Sequence, residues 1–436
     1  MYAALIAQGF TKLLRRIWHE AVLRSGMLTF VGIILVLLTM AFGWHEHRKG
    51  HFAQLKRELK GQPIAVLPRI RPGGQDFIKL QRTPIPGGSS PEFLSATFLP
   101  GCGMNFLQIT ALLPDKGEVN LLDSPSLDEA AQIFGGDQGA KAQNAGPTVG
   151  GAIEIPWAGR VWGNTSADNM VNVMWHGIRL ALPNAAEPSD RGVEGSAEGG
   201  LFWSQASDSV KTHVMPDGGA AQVLFHSGSF DKHWISETDV TTSVQMSGRA
   251  IEMTVTAQNV GKAAEPIGIG WRPKFRILSG NRATETLQIP NSVRVDVPNR
   301  LAGMPSGKLL PVQGTSYDFT KEGGTPLGNQ GLEDTFVHLR PALLDNGPSV
   351  ELRDPVSNYG LRISAISSTI QAIRVDAPAH AQFISIDPQF NYDDPFGREW
   401  PKTEDTGMVI LQPGGSVQWK IRLEIFSLQM PDPGHL

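Results

Sequence analysis

The sequence predicts an all-β protein: one large antiparallel β-sandwich behind an N-terminal transmembrane helix. Three observations carry this. Apolar and polar residues alternate with period two, as in AIEMTVTAQNV, where Ile251, Met253 and Val255 share one face and Glu252, Thr254 and Thr256 the other. Turn signals such as PDGGA, LSGN, DNGPS and QPGGS recur along the chain, and 48 glycines and 31 prolines suit short strands joined by many turns. Near the start, GMLTFVGIILVLLTMAFGW runs from Gly26 to Trp44, 19 residues without a charge.

The segments follow in order. In residues 1–25, Ile6, Phe10, Leu13, Leu14, Ile17 and Trp18 fall on one helical face, with Lys12, Arg15, Arg16 and His19 on another. That is the pattern of a basic amphipathic helix lying on a membrane surface. Residues 26–44 are long enough, at about 1.5 Å per residue, to cross a bilayer core of roughly 30 Å. They read as an uncleaved single-pass anchor, since a signal-peptide apolar region is usually shorter. Lys12, Arg15, Arg16 and Arg24 before the span nearly balance Arg48, Lys49, Lys56, Arg57 and Lys60 after it. The expected orientation is a cytoplasmic N-terminus with the large domain on the periplasmic or extracellular side, because a long C-terminal domain is translocated despite nearby charge.

Residues 45–92 are polar at first and then rich in Pro and Gly, as in QPIAVLPRIRPGG and RTPIPGGSSPEF, and read as an extended tether or an arm lying on the domain. Residues 93–428 are the sandwich. In SVQWKIRLEIF, Val417, Trp419, Ile421, Leu423 and Ile425 alternate with Gln418, Lys420, Arg422 and Glu424. One stretch in this region invites a helix: SLDEAAQIF, Ser126 to Phe134, with Ser126 as N-cap and Glu129 three residues on. Residues 429–436 are a tail.

Composition narrows the function. The chain has 436 residues, a net charge of −4 and only 18% charged residues, so nucleic acid is not an expected partner. Cys102 is the only cysteine, which excludes an intrachain disulfide, and PGCGMNF reads as a packing position. His226 and His233 lie seven apart in FHSGSFDKHW, on opposite faces of a strand, so no shared metal is expected. Asp393 and Asp394 read as solvated turn residues rather than a calcium loop. No cofactor is expected. Trp157, Trp162, Trp203 and Trp271 read mainly as core.

What remains is a scattered set: Arg160 in IEIPWAGRVWG, Glu198 in AEGGLFW, Arg272 in GIGWRPKF, Glu333 and Asp334 in LEDTFVHL, Asp387 in SIDPQFNYDDPFG, and the closing LQPGGSVQW. In this order the set resembles the aldose 1-epimerase (galactose mutarotase-like) family, over about Met104 to Phe426. The resemblance implies a large β-sandwich with a sugar-binding cleft on one face. It also implies enzymes that interconvert hexose anomers: a carboxylate removes the anomeric hydroxyl proton, a histidine protonates the ring oxygen, and the ring opens and recloses.

Carried over, Arg160 matches the family arginine that contacts sugar hydroxyls. Glu333, or its neighbour Asp334, matches a carboxylate that holds others. Asp387 stands where the family has its catalytic glutamate. Both family histidines are replaced, by Arg272 in GIGWRPKF and by Glu198 in AEGGLFW (Glu194, in GVEGS, is a rival position). A guanidinium does not give up a proton near neutrality, so the acid would be Glu198 with a raised pKa, or a water. Arg272 pairs with Glu198 or Asp387, or meets an anionic ligand such as a uronic acid. The reading is thus a membrane-anchored aldose 1-epimerase-like protein binding a hexose or uronic acid, with Asp387 and Glu198 as catalytic groups and Arg160, Arg272, Glu333 and Asp334 as sugar contacts. Its alternative is a non-catalytic carbohydrate-binding or structural module of the cell envelope on the same fold. Glycines 268 and 270, beside Arg272, leave space that reads as part of the site.

Overall fold

Alternation in the sequence becomes core in three dimensions. Ile251, Met253 and Val255 on the strand Ala250–Asn259 stand opposite Leu423, Ile421 and Trp419 on Ser416–Phe426, in antiparallel register. None of the six is more than 2% exposed. Burying each large apolar side chain is worth about 1.5–3 kcal/mol, while Glu252 and Lys420 on the other face form a solvent-side ion pair.

The computed structural model describes residue 19 and residues 34–41, 70–135, 149–185, 195–300, 302–341 and 347–428. The chain divides into two units, Met1–Arg69 and Ile70–Leu436. In the first, residues 34–41 are helical. Among the described residues no helix is long and apolar enough to cross a membrane. Most of the 26–44 segment and nearly all of 1–25 lie outside the described residues, as do the rival Glu194 and the tail 429–436.

The second unit is built on two large antiparallel sheets. One has eleven strands and the other nine, and smaller sheets of four and two strands are added. The sandwich begins earlier than residue 93. Ile78–Gln81 pairs with Glu92–Leu99 and buries Ile78 and Leu80. Four alternating residues are too few to stand out against the prolines and glycines around them, which form the flanking turns. The helix Leu127–Phe134 has the expected capping box: Ser126 Oγ accepts from Glu129 N at 3.3 Å and Glu129 Oε2 accepts from Ser126 N at 2.8 Å. Cys102 is buried, and burial pushes its thiol up to about 12, as suits a packing residue.

At the centre of the eleven-stranded sheet, five strands lie in the order Gly151–Glu154, Gly270–Arg276, Phe383–Gln389, Ala372–Ala377 and Leu332–Arg340. Beside them, a four-stranded sheet pairs Arg160–Thr165 with Gly195–Glu198, setting Arg160 opposite Glu198.

Candidate functional site

Register decides which side chains meet. Gly270 is opposite both Glu154 and Gln389, and Arg374 is opposite both Asp387 and Thr335. Side chains alternate across a strand, so Glu154, Arg272, Asp387, Arg374 and Glu333 emerge together on one face.

Arg272 is the hub. Its Nε lies 3.1 Å from Glu154 Oε1 and 3.6 Å from Asp387 Oδ2, and its Nη1 donates to Glu198 Oε1 at 2.9 Å. Arg160 Nη1 donates to Glu333 Oε1 at 2.7 Å, with its Nε 3.6 Å from Glu198 Oε1. Arg374 reaches Glu333 Oε1 at 3.3 Å, Asp387 Oδ2 at 3.5 Å and Asp393 Oδ2 at 3.9 Å. Arg160, Glu198, Arg272, Glu333 and Asp387, far apart in sequence, therefore belong to one ion-paired cluster.

Burial sets the protonation states. Asp387 is 1% exposed. Burial pushes its carboxyl up, the Arg272 and Arg374 guanidiniums pull it back, and the balance stands at about 7. Ser385 Oγ donates to its Oδ1 at 2.5 Å. Glu154 is raised too, by burial that outweighs Arg272. Glu198 goes the other way. Burial would raise it, but Arg272, Arg160 and Arg374 together hold it down at about 2. The expectation of Glu198 as an acid with a raised pKa is thus overturned: three neighbouring cations keep it ionised. Burial alone would lower Arg272, but the Glu154, Glu198 and Asp387 carboxylates raise it above its ordinary value.

Arg272 is only 4% exposed and faces three carboxylates. It is shielded from an anionic ligand arriving from solvent, so of its sequence readings the ion pairs are the ones present. Nor do Gly268 and Gly270 leave open space. A Cβ at Gly268 would lie 2.0 Å from Asn391 Oδ1, and one at Gly270 would lie 2.7 Å from Ala158 Cβ. Those glycines seat the turn that carries Ala158 and Gly159.

Glu333 and Asp334 part company. Glu333 reaches the mouth of the cluster with its side chain 38% exposed. Asp334 has no exposed side-chain surface and accepts from Arg294 and Arg300, each at 2.8 Å. It ties these two arginines and does not face the mouth. Asp393 and Asp394 are not solvated. Asp393 accepts from Arg160 N at 3.0 Å and Thr335 Oγ1 at 2.7 Å, and Asp394, 3% exposed, accepts from Trp162 N at 3.0 Å. Trp157 and Trp271 are core, as expected, while Trp162, 8% exposed, lines the mouth of the cluster.

Sequence reading missed Glu154, Arg374 and Arg300. Glu154 and Arg374 had one signal: a charge set among apolar strand residues, GAIEI and AIRV. The mouth is lined chiefly by Arg160, Trp162, Arg300, Glu333, Arg374 and Asp393, and encloses only about 10 Å³. A cavity of about 710 Å³ lies elsewhere, between Phe77–Gln81 and Ser207–Val214, and contains none of the cluster residues. Charge and hydrogen-bonding groups converge at the shallow mouth, so the candidate site is there. Among the described residues no group of side chains could hold a metal ion.

Residues 126–424 match the family model described as aldose 1-epimerase. Solved structures share the fold. A galactose mutarotase-like protein from Clostridium acetobutylicum is 16% identical, with a TM-score of 0.61 over 80% of this chain and 98% of its own. A GalM/aldose epimerase homologue from C. elegans is 14% identical, with a TM-score of 0.58 over 81% and 99%. A putative aldose 1-epimerase from Escherichia coli K12 is 16% identical, with a TM-score of 0.56 over 81% and 100%. No curated protein matches the chain.

Proposed function

The chain belongs to the aldose 1-epimerase family, and from that premise we propose that it is a carbohydrate-binding member that takes a hexose-type sugar across the mouth formed by Arg160 and Glu333. The observation that carries the reading is the convergence of Arg160, Arg272, Glu333 and Asp387 in one cluster whose outer members, Arg160 and Glu333, have side chains 29% and 38% exposed. Fixed guanidinium and carboxylate groups side by side suit the donors and acceptors of sugar hydroxyls. The enclosed volume is small, so the ring lies over an open mouth with one side in water.

A second reading adds turnover, the mutarotase-type isomerisation that family membership supports at its own level. It is favoured by Asp387, the carboxyl in the place of the family base, poised at about 7 by its burial. Against it stand an ionised Glu198 and a guanidinium at 272, so neither position that replaces a family histidine supplies an acid for the ring oxygen. Two measurements separate the readings. Titration with D-glucose and D-galactose tests binding, and saturable heat that Arg160→Ala abolishes is expected; no binding of any sugar sinks the proposal. Polarimetry of anomer interconversion, wild type against Asp387→Asn, tests turnover. Equal rates at background leave binding alone, while a wild-type excess that rises as pH increases through about 7 makes Asp387 a base.

We also propose that residues 26–44 anchor the chain as a single pass, with the sugar-binding domain outside the cytoplasm. Nineteen uncharged residues support it. The full chain is expected in the carbonate-washed membrane pellet and a chain lacking residues 1–44 in the supernatant; a full chain in the supernatant rules the anchor out.

A further inference from the structure

We infer that the sugar taken at this mouth is acidic, and that Arg300 receives its anionic substituent, a carboxylate or a phosphate. The inference rests on the sugar-binding reading and adds the charge of the ligand.

Charge at the mouth is the first argument. Its lining carries three guanidiniums, Arg160, Arg300 and Arg374, against two carboxylates, Glu333 and Asp393. Beneath it, Arg294 and Arg300 share the single carboxylate of Asp334, both at 2.8 Å. One buried anion thus serves two cations. Arg294 is held inside, 11% exposed in its side chain, with its guanidinium 4.0 Å from the centre of the Tyr317 ring. The exposed part of the surplus belongs to Arg300, whose side chain is 41% exposed.

Among the described residues the other guanidiniums of the cluster each face two or three carboxylates, whereas Arg300 faces one. Arg272 is 4% exposed, and Arg374, although it lines the mouth, is 3% exposed and faces Glu333, Asp387 and Asp393. Arg160 has its Nη1 on Glu333 and its Nε toward Glu198. Glu333, which lines the mouth with Arg300, is turned to Arg160 and Arg374 at 2.7 and 3.3 Å, so it meets an incoming anion already paired.

Arg300 is also held in place. Its Nη1 donates to Glu333 O at 3.0 Å, and its Nη2 donates to Tyr317 Oη at 2.9 Å and Asp334 Oδ1 at 2.8 Å. These bonds use both N–H groups of Nη2 and one of Nη1, so one Nη1 N–H and the Nε N–H remain to meet a carboxylate or phosphate oxygen, and a guanidinium already held in place loses little freedom in doing so. The sequence reading placed an acidic sugar at Arg272; the geometry moves its anion to Arg300.

The test is calorimetric titration of the full-length protein with D-glucuronate and D-galacturonate, the matched neutral hexoses, and D-glucose 6-phosphate. Acidic sugars are expected to bind at least about tenfold more tightly than neutral ones, a charge-assisted pair being worth that much or more. In Arg300→Gln the acidic-to-neutral ratio should fall to near one, and Arg300→Lys should restore part of it. Whichever of uronate and phosphate is preferred names the substituent. Equal affinity for acidic and neutral sugars, or a ratio that survives in Arg300→Gln, overturns the role of Arg300 and leaves the sugar site standing. No binding of any sugar overturns both.

Discussion

Arg272 Nη1 donates to Glu198 Oε1 at 2.9 Å and joins two sheets, because Arg272 lies on the eleven-stranded sheet and Glu198 on the four-stranded one. The bond turned a predicted acid into a permanent anion. Glu198 stands at about 2 against an ordinary 4.5, a depressed value. Its stabilisation is therefore complete above pH 4.5 and is lost as pH falls through about 2. Glu198→Gln should lower stability at pH 7 by about 3 kcal/mol, and the gap from wild type should narrow on acidification. Denaturant unfolding at pH 7 and pH 3 measures both; an unchanged gap would show that Glu198 is not held by its cations.

A pair of buried carboxyls makes the opposite prediction. Glu285 and Asp354 are each 1% exposed and hydrogen-bonded to one another. Burial, then the Asp354 carboxylate, pushes Glu285 up to about 9. A raised acid contributes fully below its ordinary 4.5, and that stability is lost as pH rises toward 9. Glutamine cannot ionise, yet its amide still donates to Asp354. Glu285→Gln should therefore gain on wild type progressively between pH 4.5 and 9, seen as a growing difference in melting temperature. Parallel curves would mean that Glu285 is not held protonated.

What the sequence made legible follows a physical line. Period-two alternation in Ile251–Val255 and Val417–Ile425 reports local geometry, so the sandwich could be read from it. The ordered set from Arg160 to Asp387 could be read through a family pattern. Glu154 and Arg374 could not, since a charge set among apolar strand residues is explained only by the ions opposite it, and those sit on other strands. The sign of the Glu198 shift was hidden for the same reason: burial and cations oppose one another, and only distances decide. Arg300 sits in an irregular turn with no periodicity at all.

The glycines beside Arg272 also make a prediction. A Cβ at Gly268 would come 2.0 Å from Asn391 Oδ1. Asn391 is fully buried; its Oδ1 accepts from Ala158 N at 3.0 Å and its Nδ2 donates to Ala158 O at 2.8 Å. That turn presents Gly159 N to Glu154 Oε2 at 2.9 Å. Gly268→Ala should destabilise by about 1–3 kcal/mol through overpacking and loosen the Glu154 side of the cluster. Unfolding in urea measures it, and a change under about 0.5 kcal/mol, the size of an inert surface substitution, would mean that the space is real.

Asp334 carries the last prediction. It is the only carboxylate within ion-pair distance of Arg294 and Arg300 among the described residues. Removing one partner of a buried pair leaves the other charged and desolvated, at about 3–5 kcal/mol. Asp334→Ala should fall in that range, chiefly through Arg294, because Arg300 is 41% exposed in its side chain and can turn to water. Replacing charge on both sides by apolar groups avoids the stranded ion. The double variant Asp334→Leu with Arg294→Met should therefore be less destabilised than Asp334→Ala alone. That ordering, read from urea midpoints of the single and double variants, is what a merely packed Asp334 would not produce. A double variant at least as unstable as the single one would show that volume, and not the ion pair, holds this corner of the site.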